Sequence, residues 1–215
     1  MLTLRTGTTT RHEIEIKRSR FIATLTRADD AAAAREFIDG VKSEFPDARH
    51  NCSAFLISEH GRNPIQHSSD DGEPSGTAGQ PMLDALRNSG TWNVAAVVTR
   101  YFGGVLLGAG GLVRAYSNSV TEALAVADHV DLRELQLATA RLRPDTAGRV
   151  EAELRAAGLH VHDVEWGADV ALTIAIDEGE LASADTLLAS LTKGAATWNV
   201  SGTTSIEVDA PRGQV

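Results

Sequence analysis

The run Val94-Ala95-Ala96-Val97-Val98-Thr99-Arg100-Tyr101-Phe102 most constrains what this chain can become. Its first five residues are all apolar, and three are valine. β-branched side chains favour extended backbone. A run that is apolar at every position, not at every second one, predicts a strand covered on both faces. Such a chain must place structure on each side of a sheet. The run is also framed by unusual loops. Ser68 to Gly79 reads S-S-D-D-G-E-P-S-G-T-A-G, and Gly103 to Gly111 reads G-G-V-L-L-G-A-G-G. No other part of the chain concentrates glycine, carboxylate and hydroxyl groups in this way.

Around that centre the hydrophobic pattern can be read element by element. His12–Lys17 alternates as a half-buried strand. Arg18-Ser19-Arg20 interrupts it, and Phe21–Thr26 resumes. Asp29 and Asp30 are candidate caps for a helix over Ala31–Glu44, whose Ala34, Phe37, Ile38 and Val41 share a face. Asn51–Ser58 alternates, with a turn at Glu59–Asn63 and a partner strand at Ile65–Ser68. Asp70–Gly76 is loop. Thr77 is expected to cap a helix over Ala78–Asn88, with Pro81 in its first turn. Leu112–Ala127 is a helix with a broad apolar face.

His129–Leu132 reads as a joint. After it come a strand (Leu132–Leu142), a helix from Pro144 to about Ala157 closed by Gly158, strands at Leu159–Trp166 and Asp169–Ile176, a helix over Glu178–Lys193 closed by Gly194, and a strand at Trp198–Val208. That order, β-α-β-β-α-β, is ferredoxin-like. Asp209–Val215 reads as a tail. The expected fold class is α+β, with domains at 1–130 and 131–215.

Charge narrows the function classes. The net charge is −9, which argues against coating nucleic acid by bulk attraction. Residues 1–130 carry 13 basic and 15 acidic side chains, against 7 and 14 in 131–215, so the acidity belongs to the second half. A local basic surface in the first half remains open. Cys52 is the single cysteine, which rules out an intrachain disulfide and a cysteine-rich zinc site. No apolar stretch reaches membrane-spanning length, so no membrane partner is expected and the expected location is the cytoplasm.

The second glycine loop joins a buried strand to a helix, where converging N–H groups can cradle a phosphate. Gly103, Gly104, Gly108, Gly110 and Gly111 supply the backbone, and Arg100 and Arg114 flank it. The loop lacks the Gly-Lys-Ser/Thr of a nucleotide-binding P-loop, and Val113 breaks the dinucleotide spacing. A tight strand-to-helix crossing is the alternative reading. Asp70, Asp71 and Glu73 match no calcium loop; the favoured reading is that they make turn hydrogen bonds, cap the helix after Thr77, or pair with Arg100 and Arg114. His50 and Cys52 share a strand face, but a nucleophilic pair needs an orienting group that the sequence does not name. No metal or cofactor is expected. Lys17, Arg18 and Arg20 form the one basic cluster, suited to a phosphate backbone or to a solvated strand edge. Trp166 and Trp198 read as core more readily than as base-stacking platforms.

Several of these motifs together resemble the YigZ/IMPACT family. They are Lys17-Arg18-Ser19-Arg20-Phe21-Ile22, His50-Asn51-Cys52, Ser69 through Gly79, and Val98-Thr99-Arg100-Tyr101-Phe102-Gly103-Gly104 continuing through Leu107 to Tyr116. The resemblance covers residues from about 13 to 125. It implies a first domain like the second domain of ribosomal protein S5, beside a ferredoxin-like second domain, and a likeness to the last two domains of translocating elongation factors. Eukaryotic relatives resemble regulators of translation acting through a stress-kinase activator, but they carry a different extra domain, so that partner does not transfer. Two departures stand out. Gln80 replaces a lysine common in the family, and Ser117-Asn118-Ser119 replaces a glycine-rich helical turn.

The combined expectation is a translation-associated binding protein, leaning away from an enzyme. It would contact the ribosome or structured RNA through Lys17, Arg18, Arg20, Thr77, Gly79, Arg100, Tyr101, the loop glycines and Arg114. The rivals are a nucleotide- or phosphate-binding enzyme using loop 103–111, and a protein–protein adaptor.

Overall fold

The computed structural model describes residues 1–58 and 63–210. The expected turn residues Glu59–Arg62 and the final five residues lie outside the described chain. The protein is a mixed α/β structure with two sheets and, among the described residues, five α-helices. Contacts divide it into Met1–Asp131 together with the end of the chain from Glu207, and Leu132–Ile206.

The first unit comprises β1 (Leu2–Leu4), β2 (Thr9–Ile16), β3 (Ser19–Arg27), α1 (Ala31–Glu44), β4 (His50–Ile57), β5 (Ile65–Ser69), α2 (Gly79–Ser89), β6 (Val94–Tyr101) and α3 (Ala109–Ala125). Its sheet runs β2-β3-β6-β4-β5, and every pairing is antiparallel. β6 sits at the centre and is buried from Val94 to Arg100. Successive side chains of a strand point to opposite faces, and here each face has its own core. Val94, Ala96 and Val98 pack with Met82 and Leu86 of α2 and Leu112, Tyr116 and Val120 of α3. Ala95 and Val97 pack with Ala34, Ile38 and Val41 of α1. Burying each valine contributes about 1.5–3 kcal/mol. β4 behaves the same way: Cys52, Ala54 and Leu56 join the first core, and Phe55 and Ile57 join the second.

Two local expectations change. The break between β2 and β3 is Lys17-Arg18, both with left-handed φ (+50° and +65°), and Ser19 already pairs with Ile16. This two-residue loop has the positive φ pair that suits the twist of a hairpin. Ser19 and Arg20 therefore belong to β3, where Ser19 is fully buried. Second, Thr77 does not cap α2; its hydroxyl donates to the Pro74 carbonyl at 2.6 Å. Asp70 caps from a distance, accepting from Ala78 and Gly79 N–H at 3.0 and 2.8 Å. A carboxylate is a stronger acceptor than a hydroxyl at a helix start. α1 follows the sequence reading: Asp30 accepts from Ala32 and Ala33 N–H, both at 2.8 Å.

The second unit takes up β7 (His129–Leu142) from Leu132 onward, then α4 (Pro144–Ala156), β8 (His160–Trp166), β9 (Val170–Ile176), α5 (Leu181–Thr192) and β10 (Asn199–Asp209). β7 pairs antiparallel with β9, β9 pairs with β8, and β10 pairs with β7. Its core joins Ala138, Ala140 and Leu142 of β7 with Val150 and Leu154 of α4, Leu172 and Ile174 of β9, and Leu188 of α5. Trp198 is 8 % exposed within that core, whereas Trp166 is 61 % exposed at a strand end. The end of the chain returns to the first unit at Glu207. That carboxylate accepts from Thr6 N–H at 3.0 Å and Arg27 Nη1 at 2.8 Å. Nothing in the local pattern of the last strand signals this return.

Candidate functional site

At one end of the first sheet, loop 70–78 and loop 102–108 meet. The acidic loop is fastened by its own carboxylates. Asp70 accepts three backbone N–H groups, from Gly76 at 2.7 Å besides Ala78 and Gly79. Burial pushes the Asp70 carboxyl up, but these N–H groups prevail and hold it below the usual carboxylate range. Asp71 stands at φ +43° and accepts from Asn51 N–H at 2.7 Å and Lys42 Nζ at 3.0 Å. Burial raises it and these partners, the Asn51 N–H foremost, bring it net downward. Its carbonyl meets His50 Nδ1 at 2.9 Å.

Glu73 turns inward. Its Oε1 accepts from Arg100 Nη1 at 2.5 Å and from the Tyr116 hydroxyl at 2.8 Å, all three groups being buried. The Arg100 guanidinium lies 5.3 Å from the Phe21 ring centroid and 5.8 Å from that of Phe102. A buried cation needs such a partner, because desolvating an unpaired charge costs several kcal/mol (order of magnitude). Arg100 Nε has no hydrogen-bond partner among the described residues. Burial also pushes the Tyr116 hydroxyl far up, so it stays a donor. Cys52 donates to the Asp70 carbonyl at 3.0 Å, and burial pushes its thiol up to about 12. It is a core thiol and not a nucleophile at neutral pH.

The glycine loop is positioned by close approach. A Cβ on Gly103 would lie 2.0 Å from the Arg18 carbonyl carbon, and Gly103 N–H donates to Ser19 Oγ at 3.1 Å. The loop therefore rests on the Lys17-Arg18 turn. Gly79 is held in the same way, with a Cβ there lying 2.5 Å from the Ser69 backbone nitrogen. Beyond Gly104, α3 starts at Ala109, its first turn closed by Gly111 and Leu112 N–H donating to the Gly108 carbonyl. Gly110 lies in that turn, with open space where a Cβ would stand. A cavity of about 340 Å³ opens beside this start, lined among others by Arg49, His50, Glu73, Arg100, Phe102 and Leu106. Phe102 is 49 % and Leu106 83 % exposed.

The structure thus sorts the residues expected from sequence. Lys17 and Arg18 are exposed beside Gly103, and Arg114 is exposed on α3; none has an ion-pair partner among the described residues. Arg20 is paired with Glu13 at 2.8 Å and stands over the Tyr101 ring, and the Tyr101 hydroxyl donates to Asp47. Arg100, Thr77 and Gly79 are committed inside the protein, to Glu73, Pro74 and Asp70. Sequence reasoning missed Arg49, Phe102 and Leu106. The one available signal was the apolar set Phe102, Val105, Leu106 and Leu107 in a glycine-rich loop. Among the described residues no group of three or more His, Cys, Asp or Glu converges to hold a metal ion, and no helix is long and apolar enough to cross a membrane.

Comparison with known proteins fits this geometry. The Impact N-terminal domain matches residues 17–124, which contain both loops, and a domain of unknown function (DUF1949) matches residues 143–195. YvyE of Bacillus subtilis, an IMPACT family member, is 40 % identical over 183 residues, 85 % of this chain and 83 % of the relative. YigZ of Escherichia coli, also an IMPACT family member, is 38 % identical over 84 % of this chain and 88 % of its own length. A solved crystal structure, described only as that of a hypothetical protein, superposes with a TM-score of 0.64 at 35 % identity, covering 93 % of this chain and 96 % of that one. The two loops and the turn beneath them thus lie in the stretch that the Impact N-terminal domain matches, and the chain belongs to the IMPACT family.

Proposed function

We propose that this protein is a translation-associated binding protein that contacts the ribosome or structured RNA in the cytoplasm through its first unit. In this reading the first unit is like the second domain of ribosomal protein S5, and the second, with pairing order β10-β7-β9-β8, is ferredoxin-like. The observation that carries the proposal is the seating of the Lys17-Arg18 turn on Gly103. It sets two cations, neither with an ion-pair partner among the described residues, against the loop that carries the exposed Phe102 and Leu106, and that loop lines a cavity together with Arg49. Cations near a phosphate backbone supply affinity, and an exposed aromatic ring supplies a platform for an unstacked base. Arg100 acts here as a buried strut, holding Glu73 and the loops in register.

Co-sedimentation with ribosomes and a gel-shift titration with structured RNA, both run across salt, test this. Binding is expected to weaken with salt, and Lys17→Ala with Arg18→Ala is expected to lower the salt slope by about 2, one per phosphate contact. Absence of ribosome and RNA binding at low salt overturns the reading, as does binding that ignores both salt and the double substitution.

A further inference from the structure

The second unit holds a cavity of about 380 Å³ where β7 ends, α4 starts and α5 stops; Arg141, Arg143, Thr146, Arg149, Leu191 and Lys193 are among the residues lining it. Between residues 132 and 206 the chain has only six basic residues against eleven acidic ones, and four of those six line this cavity. In an acidic unit, solubility alone would favour dispersing the cations among the carboxylates. Here they converge, and little nearby neutralises them. Asp145 pairs with one edge of the Arg143 guanidinium, Nε and Nη2 each donating to a separate carboxylate oxygen. Arg141 and Lys193 have no ion-pair partner among the described residues. Arg149 donates Nη2 to the Leu191 carbonyl at 2.9 Å, a bond that steadies the side chain without cancelling its charge.

The placement of each cation follows from the fold. Arg141 and Arg143 are two apart at the end of β7, so they share a strand face. Pro144 then fixes the first turn of α4, and no side chain caps that helix. Lys193 ends α5 in the left-handed region, at φ +54°, where glycine is the usual residue. A lysine there carries backbone strain. Gly194, one position later, lies in the same region without that penalty.

We propose that this cavity binds a ligand carrying clustered phosphate groups. Guanidinium forks match phosphate oxygens, and several cations around one recess suit adjacent phosphates better than a single carboxylate. The same chemistry is offered by an RNA backbone and by a free polyphosphate compound. Isothermal titration of the full chain with sodium tripolyphosphate, and separately with a single-stranded RNA 12-mer, distinguishes the two. The test variant is Arg141→Gln with Lys193→Gly, the glycine being the residue that this backbone favours, and the control is Arg155→Ala, a cation paired with Glu151. Tripolyphosphate affinity is expected to fall at least about tenfold in the test variant and to be unchanged in the control. A matching loss of RNA affinity assigns the site to RNA; unchanged RNA affinity assigns it to a free phosphate compound. RNA loss confined to Lys17→Ala with Arg18→Ala, with tripolyphosphate binding intact, leaves this site standing as one for free phosphate compounds. The proposal falls if neither probe distinguishes the test variant from wild type, or if the control loses as much as the test variant.

Discussion

The two cavities use arginine in opposite ways. In the first, Arg100 is buried, bonded to Glu73 and laid against two aromatic rings. In the second, Arg141 and Lys193 stand exposed with no carboxylate partner among the described residues. Burial explains the difference. A cation removed from water must bring its counter-charge into the fold, because an uncompensated one costs more than most single contacts return. A cation at a rim keeps its water and can await a partner from outside. The first arrangement is therefore part of how loops 70–78 and 102–108 are held, and the second is a surface with unspent charge.

Breaking the buried pair should have the largest effect. Glu73→Ala strands Arg100 and removes the acceptor of Tyr116, and about 3–5 kcal/mol of stability should be lost in a urea melt. Gly103→Ala comes next: its methyl would overlap the Arg18 backbone, so about 2–3 kcal/mol should be lost, and the Lys17-Arg18 turn should shift away from the loop, weakening RNA binding as well. Asp70→Ala removes an acceptor shared by three N–H groups and should cost about 1–2 kcal/mol.

The Asp70 bonds also set an acid limit. The folded-state carboxyls of Asp70 and Asp71 titrate below their unfolded values. Their stabilisation is thus fully present above the unfolded value of about 3.9 and is lost as pH falls through the folded one. The melting temperature of the wild type should drop below about pH 4, and that drop should shrink in Asp70→Ala. The smallest effect should come from the second cavity and with the opposite sign. Lys193→Gly removes a charge but relieves a left-handed lysine, so stability should rise by about 0.5–1 kcal/mol. A loss there instead would show that Lys193 is held by the fold, which would erase the contrast between the two cavities.

Much of this was legible from residue order. Val94–Val98 announced a strand covered on both faces, and two cores on opposite sides of β6 answer it. Asp30 before an alanine run announced α1. Pro144 and Gly158 bracketed α4 as expected, since proline fits a helix start and glycine its exit. The candidate site was legible as a region, but the roles of its residues were not. Arg100 read either as a flanking anion ligand or as a partner of the acidic loop, and the second reading holds, through Glu73. Thr77 read as the cap with the acidic loop as an alternative, and it is Asp70, seven residues earlier, that does the capping. In the second unit the excess of acid concealed a basic recess, because Arg141, Arg143, Arg149 and Lys193 are brought together only by the closing of α4 and α5 onto β7.

The sequence by itself determined most of the strands and helices, and where the special loops fall, because those depend on neighbours two to four residues away. Only the tertiary structure decided which charges are neutralised and which remain bare. Pairing depends on distance through space and on access to water: Arg100 and its partner Glu73 stand 27 residues apart, and Arg141 and Lys193, which share a cavity, stand about 50 apart. No local pattern in the chain records that separation.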